Sequence, residues 1–452
     1  MLRRIGLTLA LVPLALPATA QASTRTYTLR SGPIPMGGFN VRFPKLRVPA
    51  PRTDGYLTHM SVRLVDRRGR PVTIRDVMLH HIVFHRRGRP SARGDCSNAG
   101  GEPIYGTGEE RQQLRLPPGY GYRIHRRDRW RVTAMLMSHS LRALPVYIRY
   151  RVTVVRGARL TAVHPFWIRA NGCGANVSYP VEGGGPPGAT TTRSYRWRVP
   201  FDGRIVAAGG HLHGGAKALS LSQPRCRGRR LLDTAPRFGM PDHLYYRVRP
   251  ILHEPGPVDT RYFLSRTGIP VRRGERLRLT AVYDGSRPHP RVMAIMHVYI
   301  ARASDVPRRC ARLPADRREL VKPGPVRTEP PQVVVPLNAL GRDGHTHVVQ
   351  TPVEGARKLS TGSTVDLRAG RFRPAHISVR AGAWVKWRFD DAIAHNVMLA
   401  SGPHLVGAPT LRNGAVHASH FRTPGRFELF CYLHPLTMHE VVDVRPRTPP
   451  AQ

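Results

Sequence analysis

Apolar and polar residues alternate with a period of two along much of this chain. Such runs occupy residues 56–62, 146–150 and 425–430, and stretches rich in glycine and proline separate them. A period of two places successive side chains on opposite faces of a strand, and no region sustains the longer period of a helix. The pattern therefore predicts an all-β fold.

Chain length and turn-rich stretches predict several domains. A chain of 452 residues corresponds to about three domains. Residues 183–188 have the sequence GGGPPG and indicate a crossing between domains, and residues 304–335 are rich in proline and arginine, which is typical of a linker. We expect β domains at residues 25–165, 195–303 and 360–446, with a linker over residues 304–359.

Basic residues far outnumber acidic ones. The chain has 72 lysines and arginines against 28 aspartates and glutamates, a formal net charge of +44. The arginines are spread over the whole chain, with no helical basic stripe and no aromatic RNA-binding motif, so a specific nucleic-acid partner is not expected. We interpret the charge as a solvated cationic surface that attracts anionic polymers of the cell envelope.

The first 22 residues have the features of a secretory signal peptide. Arg3 and Arg4 precede an apolar stretch at residues 5–16, and Ala20 and Ala22 follow as a small-residue cleavage site. No later segment is long and apolar enough to predict a transmembrane helix. We therefore expect a secreted or cell-envelope protein in an extracytoplasmic compartment, where disulfide bonds form.

A thiol, an imidazole and a thioether lie within one short loop near the C-terminus. Cys431, His434 and Met438 follow the alternating run at residues 425–430, and His395 follows another strand-like run. Two histidines, one cysteine and a weak axial methionine form the trigonal site that binds copper for electron transfer. The pattern predicts a type 1 copper held by these four residues. The other cysteines, which can pair in three ways, are Cys96, Cys173, Cys226 and Cys310.

Residues 360–446 resemble the cupredoxins, the plastocyanin and amicyanin group. The ligand loop carries the likeness, together with Phe372-Arg373-Pro374, the Ala381-Gly382 turn and Trp387. The resemblance implies a Greek-key β-sandwich that acts as a blue-copper electron-transfer domain.

Two histidine pairs in the first half of the chain are candidate metal ligands. His80 and His81 are adjacent in a strand-like run, so their side chains point to opposite faces and joint ligation requires a local twist or bulge. His211 and His213 share one strand face, and the glycines beside them let a ligand come close. Imidazole nitrogens at this spacing are typical metal ligands.

With these pairs, residues 55–303 resemble the copper type II ascorbate-dependent monooxygenases, the family of peptidylglycine- and dopamine-hydroxylating enzymes. Residues 116–123 (LPPGYGYR), 135–139 and 291–299 carry the rest of the likeness. The resemblance implies two jelly-roll-like β-sandwich domains, each with a type 2 copper. One copper would be held by His80, His81 and His139 for electron transfer. The other, which activates dioxygen, would be held by His211, His213 and Met293, with Met296 as an alternative to Met293.

These residue types suit the implied chemistry. Imidazoles allow copper to alternate between its two oxidation states, and a thioether stabilises Cu(I), the state that meets dioxygen. We expect dioxygen and a small-molecule substrate at the His211, His213 and Met293 site. Electrons would come from ascorbate or from an external redox partner protein through the cupredoxin.

Two positions depart from the monooxygenase pattern. Gly209 stands where the peptide-hydroxylating members carry the arginine that grips the substrate carboxylate, and Met137 replaces a glutamine. Neither a peptidylglycine nor a catecholamine is therefore supported as the substrate. Our first hypothesis is an exported copper monooxygenase that hydroxylates a C–H bond. The alternative is a non-enzymatic copper-binding or electron-carrier protein of the cell envelope. A multicopper oxidase is disfavoured because Cys431 has no adjacent histidines.

Overall fold

A computed structural model describes residues 22–89, 95–96, 101–174, 176–349, 356–358 and 364–447. In these ranges nearly all regular structure is β-strand, with one four-residue α-helix and one 3-10 turn. This confirms the all-β fold class. The predicted signal peptide at residues 1–22 lies outside the described residues except for Ala22. Among the described residues, no helix is long and apolar enough to cross a membrane.

The first part of the chain folds into two sheets that face each other. In chain order its strands are β1 (Ser23–Met36), β2 (Val41–Arg42), β3 (Lys45–Val48), β4 (Gly55–Val65), β5 (Val77–Arg86), β6 (Glu102–Thr107), β7 (Leu114–Arg115), β8 (Tyr120–Ile124), β9 (Trp130–Ser138) and β10 (Leu144–Arg156). One sheet contains β1, β10, β4, β8 and β7, and the other has the order β2-β9-β5-β6 with β3 beside β9. Buried apolar residues such as Leu57, Phe84 and Trp130 form the first core between them.

A second sandwich follows. Its elements are β11 (Thr161–Arg169), β12 (Tyr179–Val181), β13 (Thr190–Arg198), β14 (Gly203–Leu212), β15 (Ala216–Gln223), a 3-10 turn (Pro224–Cys226), β16 (Arg229–Asp233), β17 (Pro236–Arg237), α1 (Leu244–Arg247), β18 (Asp259–Thr260), β19 (Tyr262–Val271), β20 (Arg276–Asp284), β21 (His289–Val292) and β22 (Ala294–Arg302). One sheet has the order β11-β22-β14-β19 and the other β13-β20-β15-β16. Phe166, Trp197 and Leu279 lie in the second core.

The larger sheets of the two sandwiches are continuous. β8 pairs with β11 in parallel, so one ten-stranded sheet runs through both sandwiches. β11 begins inside the expected first domain at residues 25–165, yet it pairs with β22 and belongs to the second sandwich. The two sandwiches therefore share backbone hydrogen bonds between β8 and β11.

The expected linker at residues 304–359 is folded where the structure describes it. β23 (Arg318–Leu320) pairs with β19, and β24 (Asn338–Leu340) forms a hairpin with β25 (Thr346–Val348). The disulfide between Cys226 and Cys310 ties its beginning to the second sandwich. The second disulfide joins Cys96 to Cys173, so the structure selects one of the three possible pairings.

The C-terminal part is a separate sandwich. Its strands are β26 (Arg357–Lys358), β27 (Thr364–Arg368), β28 (Arg371–Arg373), β29 (His376–Arg380), β30 (Ala383–Phe389), β31 (His395–Ser401), β32 (Ala408–Leu411), β33 (Val416–Phe421), β34 (Gly425–Phe430) and β35 (His439–Arg445). The sheet orders are β26-β29-β35-β34-β31-β32 and β28-β27-β30-β33. Alternation in β30 buries every second residue, including Val385 and Trp387, which pack with Phe421 and Phe427 in the third core.

An apolar cluster joins the C-terminal sandwich to the other two. Met78 and Met135 come from the first sandwich, Leu252 from the second, and Phe430 and Tyr432 from the C-terminal one. Burial of large apolar side chains stabilises such a contact by roughly 1.5–3 kcal/mol for each side chain. This contact holds the loop after β34 against the first sandwich.

Candidate metal centres

The residues predicted to hold a type 1 copper come together at one end of the C-terminal sandwich. His395 begins β31, Cys431 follows β34, and His434 and Met438 lie in the loop before β35. The Nδ1 atoms of His395 and His434 are 3.1 Å apart, and they lie 3.8 and 3.6 Å from Cys431 Sγ. Met438 is fully buried in the same apolar core as Cys431. The two imidazoles and the thiol thus converge on one point, as a copper site requires.

Hydrogen bonds with neighbouring residues hold the candidate copper ligands in place. His395 Nε2 donates to Asp391 Oδ2 at 2.7 Å, so its Nδ1 lone pair faces the thiol. The Cys431 N–H donates to the carbonyl of Met438 at 3.0 Å and closes the loop. The N–H of Asn396 donates to Cys431 Sγ at 3.5 Å. Burial raises the pKa of the Cys431 thiol, so a bound cation is what would favour its thiolate form.

A second group of donors lies between the first two sandwiches. We call it the interdomain histidine cluster, and it consists of His80, His81, His139, His211, His213 and His253. The ring centroid of His80 is 4.9 Å from that of His213 and 4.7 Å from that of His253. The rings of His211 and His213 are 5.2 Å apart. Four of the six histidines belong to the two pairs that the sequence indicated.

A β-bulge brings the adjacent histidines together. The register between β5 and β9 shifts between Leu79 and His81, and the Nδ1 atoms of His80 and His81 are 3.0 Å apart. In a regular strand these side chains would point to opposite faces. The bulge that joint ligation requires is therefore present at the expected place.

Three cluster histidines have the hydrogen-bonding pattern of metal ligands. His139 Nδ1 donates to the carbonyl of Pro250 at 3.0 Å, and His213 Nδ1 donates to that of Arg291 at 2.8 Å. His211 Nδ1 donates to Glu110 Oε2 at 3.1 Å. The Nε2 atom of each of the three is buried and has no hydrogen-bond partner within the described ranges. Metal-binding histidines usually donate their other N–H in this way, and buried polar atoms otherwise find partners.

Burial also keeps most of these imidazoles neutral. It lowers the pKa of His80 and His213 well below the ordinary value, that of His81 to about 3 and that of His139 to about 4. His211 is the exception: burial is the largest single influence and lowers its pKa, but the charge and hydrogen bond of Glu110 together with the charge of Glu109 outweigh burial, so the pKa is raised. Neutral imidazoles keep the lone pairs that bind copper, so the donor set fits this metal.

The structure groups the candidate ligands differently from the two copper-ligand sets that the sequence resemblance implies. His80, His81 and His213 place donor atoms within 4.8 Å of one another, so residues assigned to two separate coppers are in contact. His139 is not a member of that group. A further group within the same distance consists of His80, Glu109 and His253. Sequence reasoning missed Glu109 and His253, which are 144 residues apart and belong to no local motif.

The two candidate methionines occupy different surroundings. Met293 lies between β21 and β22 and lines a cavity of about 420 Å³ together with His81, His211 and Trp167. Met296 is fully buried in the second core. Of the two thioethers, Met293 is therefore the one beside the histidines.

Gly209 also has a physical reason to be glycine. A Cβ atom at this position would overlap Oε1 of Gln112, whose Nε2 donates to Thr260 Oγ1 at 2.9 Å. The place of a longer side chain is thus filled by Gln112. An arginine that reaches a substrate carboxylate from position 209 does not fit this packing.

Comparison with known proteins identifies the C-terminal part. No family model matches the chain. Amicyanin-alpha of Methylorubrum extorquens is 31% identical over 94 residues, which are 20% of this chain and 79% of that protein. A solved amicyanin mutant in the Cu(I) state covers 19% of this chain and 83% of its own, at 23% identity and a TM-score of 0.18. The purple cupredoxin from Nitrosopumilus maritimus covers 18% and 99%, at 23% identity and a TM-score of 0.17.

Through this part the chain is a member of the cupredoxins, the class of copper-binding electron-transfer domains. Within that class it belongs with the amicyanins. The match extends over about a fifth of the chain, and the histidine-rich sandwiches lie before it.

Proposed function

We propose that this chain is an extracytoplasmic copper oxidoreductase in which the cupredoxin domain exchanges electrons with copper held by the interdomain histidine cluster. Two disulfides support a place outside the cytoplasm. Copper supplies one-electron chemistry at both centres when it is bound. The chain's own residues set where the two centres lie relative to each other.

The observation that carries this proposal is a continuous connection from Cys431 to His213. Tyr432 follows Cys431 in the chain, and the guanidinium of Arg291 lies over its ring, 4.9 Å from the ring centroid. The carbonyl of Arg291 accepts a hydrogen bond of 2.8 Å from His213 Nδ1. The covalent bonds of Cys431–Tyr432 and of Arg291, one cation–π contact and one hydrogen bond therefore join a cysteine ligand to a cluster histidine.

Within this class we propose a monooxygenase that hydroxylates a C–H bond of a small organic substrate. The cavity of about 420 Å³ beside His211 and Met293 has the size of a small-molecule site. Trp167 and Ile295 give part of its wall an apolar surface, and His211 also lines it. The family resemblance would assign His80, His81 and His139 to electron transfer and His211, His213 and Met293 to dioxygen, with ascorbate or a redox protein as the outside reductant.

A second candidate is a copper-binding electron carrier without hydroxylase activity. Gln112 fills the space beside Gly209, so the side chain that grips the substrate in peptide-hydroxylating enzymes has no counterpart there. A carrier needs no such group. Dioxygen uptake during ascorbate oxidation, measured across a panel of small aromatic and aliphatic substrates, separates the two candidates. Substrate-stimulated uptake with a hydroxylated product supports the monooxygenase, and uptake that no substrate changes supports the carrier.

The electron-transfer proposal itself is tested with His213→Ala in the copper-loaded protein. This variant removes the cluster end of the connection and leaves the four cupredoxin ligands intact. After reduction by ascorbate, we expect the blue colour to return under dioxygen much more slowly than in the wild type. An unchanged rate of return would mean that the cupredoxin is oxidised without the histidine cluster.

A further inference from the structure

We propose that His80, Glu109 and His253 form a second metal position inside the interdomain histidine cluster, for a divalent ion such as Cu²⁺ or Zn²⁺. The proposal rests on the cluster binding metal, as in the proposed function. It replaces the His80, His81 and His139 set with a set that contains a carboxylate. The chain would then hold a position with nitrogen and oxygen donors beside the position that contains His213.

The geometry of the three donors carries the proposal. Glu109 Oε1 lies 2.6 Å from His253 Nε2 and 3.4 Å from His80 Nε2, and the three donor atoms fall within 4.8 Å of one another. The side chains of His80 and Glu109 are each 4% exposed, whereas that of His253 is 14% exposed. The donors are therefore desolvated, and the edge at His253 leaves a route from solvent.

Glu109 is held so that one oxygen remains for an ion. Its Oε2 accepts a hydrogen bond of 2.9 Å from the N–H of Gly256, which anchors the carboxylate from the far side. Its Oε1 faces both imidazoles. A carboxylate fixed by the backbone at one oxygen and directed at two histidines with the other is a typical arrangement for a metal ligand.

A neighbouring histidine gives an independent indication of a ligand. His139 Nε2 is buried without a hydrogen-bond partner in the described part of the chain, and its Nδ1–H is fixed by the carbonyl of Pro250. Pro250 is three residues before His253 in the chain, so this hydrogen bond holds His139 beside the segment that carries His253. His139 therefore offers a nitrogen lone pair near that segment.

The donor types determine the class of ion. A carboxylate with imidazoles suits divalent ions, whereas Cu(I) prefers sulfur ligands. Two histidines with one glutamate are also a known zinc set that keeps one coordination position open. A carboxylate ligand at Glu109 would offset part of the ion's charge in this largely buried place.

The competing interpretation is a simple hydrogen bond from His253 Nε2 to Glu109. Glu109→Gln separates the two, because an amide oxygen still accepts that hydrogen bond but is a poor metal ligand. The full chain is loaded with copper alone or with zinc alone, excess metal is removed, and bound metal is counted by mass spectrometry. His85→Gln is the matched control. His85 is buried on β5, as His80 is, but it does not belong to the group of His80, Glu109 and His253.

We expect Glu109→Gln and His253→Ala each to hold one ion fewer per chain than the wild type, with copper, with zinc or with both. His85→Gln should keep the wild-type count, and the blue colour of the cupredoxin should be equal in all copper-loaded samples. Wild-type counts in both variants with both metals would overturn the proposal. If only the His80, Glu109 and His253 position is wrong, His213→Ala should still slow reoxidation of the blue centre. Failure of this proposal is thus distinguishable from failure of the proposed electron-transfer function.

A measurement on the wild type covers the case in which a variant does not fold. Diethyl pyrocarbonate modifies accessible histidines, and peptide mass spectrometry reports the modification of His253. We expect added Cu²⁺ or Zn²⁺ to slow the modification of His253 by about tenfold, in line with a site occupied about nine-tenths of the time. Modification of His253 at the same rate with and without metal would contradict the assignment.

Discussion

Tyr432 directs its hydroxyl at the Sδ atom of Met135, 3.2 Å away, and so connects the residue after the cupredoxin cysteine to the first sandwich. Both side chains are buried in the cluster where the three sandwiches meet. Burial raises the pKa of Tyr432, which keeps the phenol protonated and able to donate. A buried contact of this kind holds the Cys431 loop in one position against the rest of the molecule.

Replacing Tyr432 with alanine is therefore expected to weaken the junction and to slow electron exchange between the centres. Loss of a buried aromatic side chain costs about 3–5 kcal/mol of stability. Tyr432→Phe is the control, because it keeps the ring and loses only the hydroxyl contact, worth about 0.5–1.5 kcal/mol. Stopped-flow absorbance of the blue colour measures the rate. A Tyr432→Ala rate equal to that of Tyr432→Phe would show that the ring has no part in the exchange.

Cys431→Ala tests whether the cupredoxin is a separate electron donor. The variant lacks the thiolate that gives the blue colour, and we expect it to bind one copper fewer because a neutral methyl group cannot ligate. Dioxygen uptake driven by a reductant specific for the cupredoxin should be lost, whereas uptake driven by excess ascorbate should remain. Equal loss of both activities would mean that the cupredoxin and the histidine cluster do not work as donor and acceptor.

Much of this arrangement follows from the sequence where the signal is local. Cys431, His434 and Met438 lie within eight residues of chain, so their order already specifies one loop after one strand. Adjacent histidines in a strand required a bulge, and the register shift after Leu79 supplies it. In these places the backbone period determines where side chains point.

The rest depends on contacts between distant parts of the chain. His253 lies in a connection after α1 and is placed beside His80 only when the second sandwich docks on the first. Glu109 and Glu110 follow β6 as two adjacent carboxylates, a weak signal that does not reveal their different partners, His253 and His211. The alternation along a strand predicts which of its side chains share a face, but it does not predict which distant residues pack against that face.

Gly209→Ala is expected to destabilise the junction of the two sandwiches. The added methyl group would overlap the Gln112 amide, and overpacking of this kind costs about 1–3 kcal/mol. Gln112→Ala combined with Gly209→Ala removes the overlap with the amide, while Tyr262 Cδ2 remains 2.8 Å from the added Cβ, so the double variant should lose less stability than the sum of the single variants. Chemical denaturation of all three measures the coupling. Additive losses would show that the two side chains do not compete for the same space.

His85 should make stability depend on pH in the weakly acidic range. Burial, followed by the charge of Arg131, lowers the pKa of His85 from 6.5 to about 4. The unfolded chain therefore takes up a proton at His85 before the folded chain does, and the stabilisation present above pH 6.5 is lost as pH falls toward 4. The slope is at most about 1.4 kcal/mol per pH unit.

His85→Gln removes this titration and keeps a polar group near Thr133, whose Oγ1 lies 3.3 Å from His85 Nε2 in the wild type. Denaturation of the metal-loaded wild type and variant at pH 7.5, 6, 5 and 4, at constant ionic strength, gives the comparison. We expect the variant's unfolding free energy to fall less steeply below pH 6.5. Parallel curves for the two proteins would contradict the depressed pKa of His85.

Transfer of electrons within one molecule is tested most directly by kinetics on the fully copper-loaded chain. The blue centre is reduced rapidly without dioxygen, and its absorbance and the type 2 copper signal in freeze-quenched EPR are followed together. The proposed connection through Tyr432, Arg291 and His213 predicts that the blue colour returns as the type 2 signal falls, at a rate independent of protein concentration. A blue centre that stays reduced, or a rate that rises in proportion to protein concentration, would contradict exchange between the cupredoxin and the histidine cluster of the same chain.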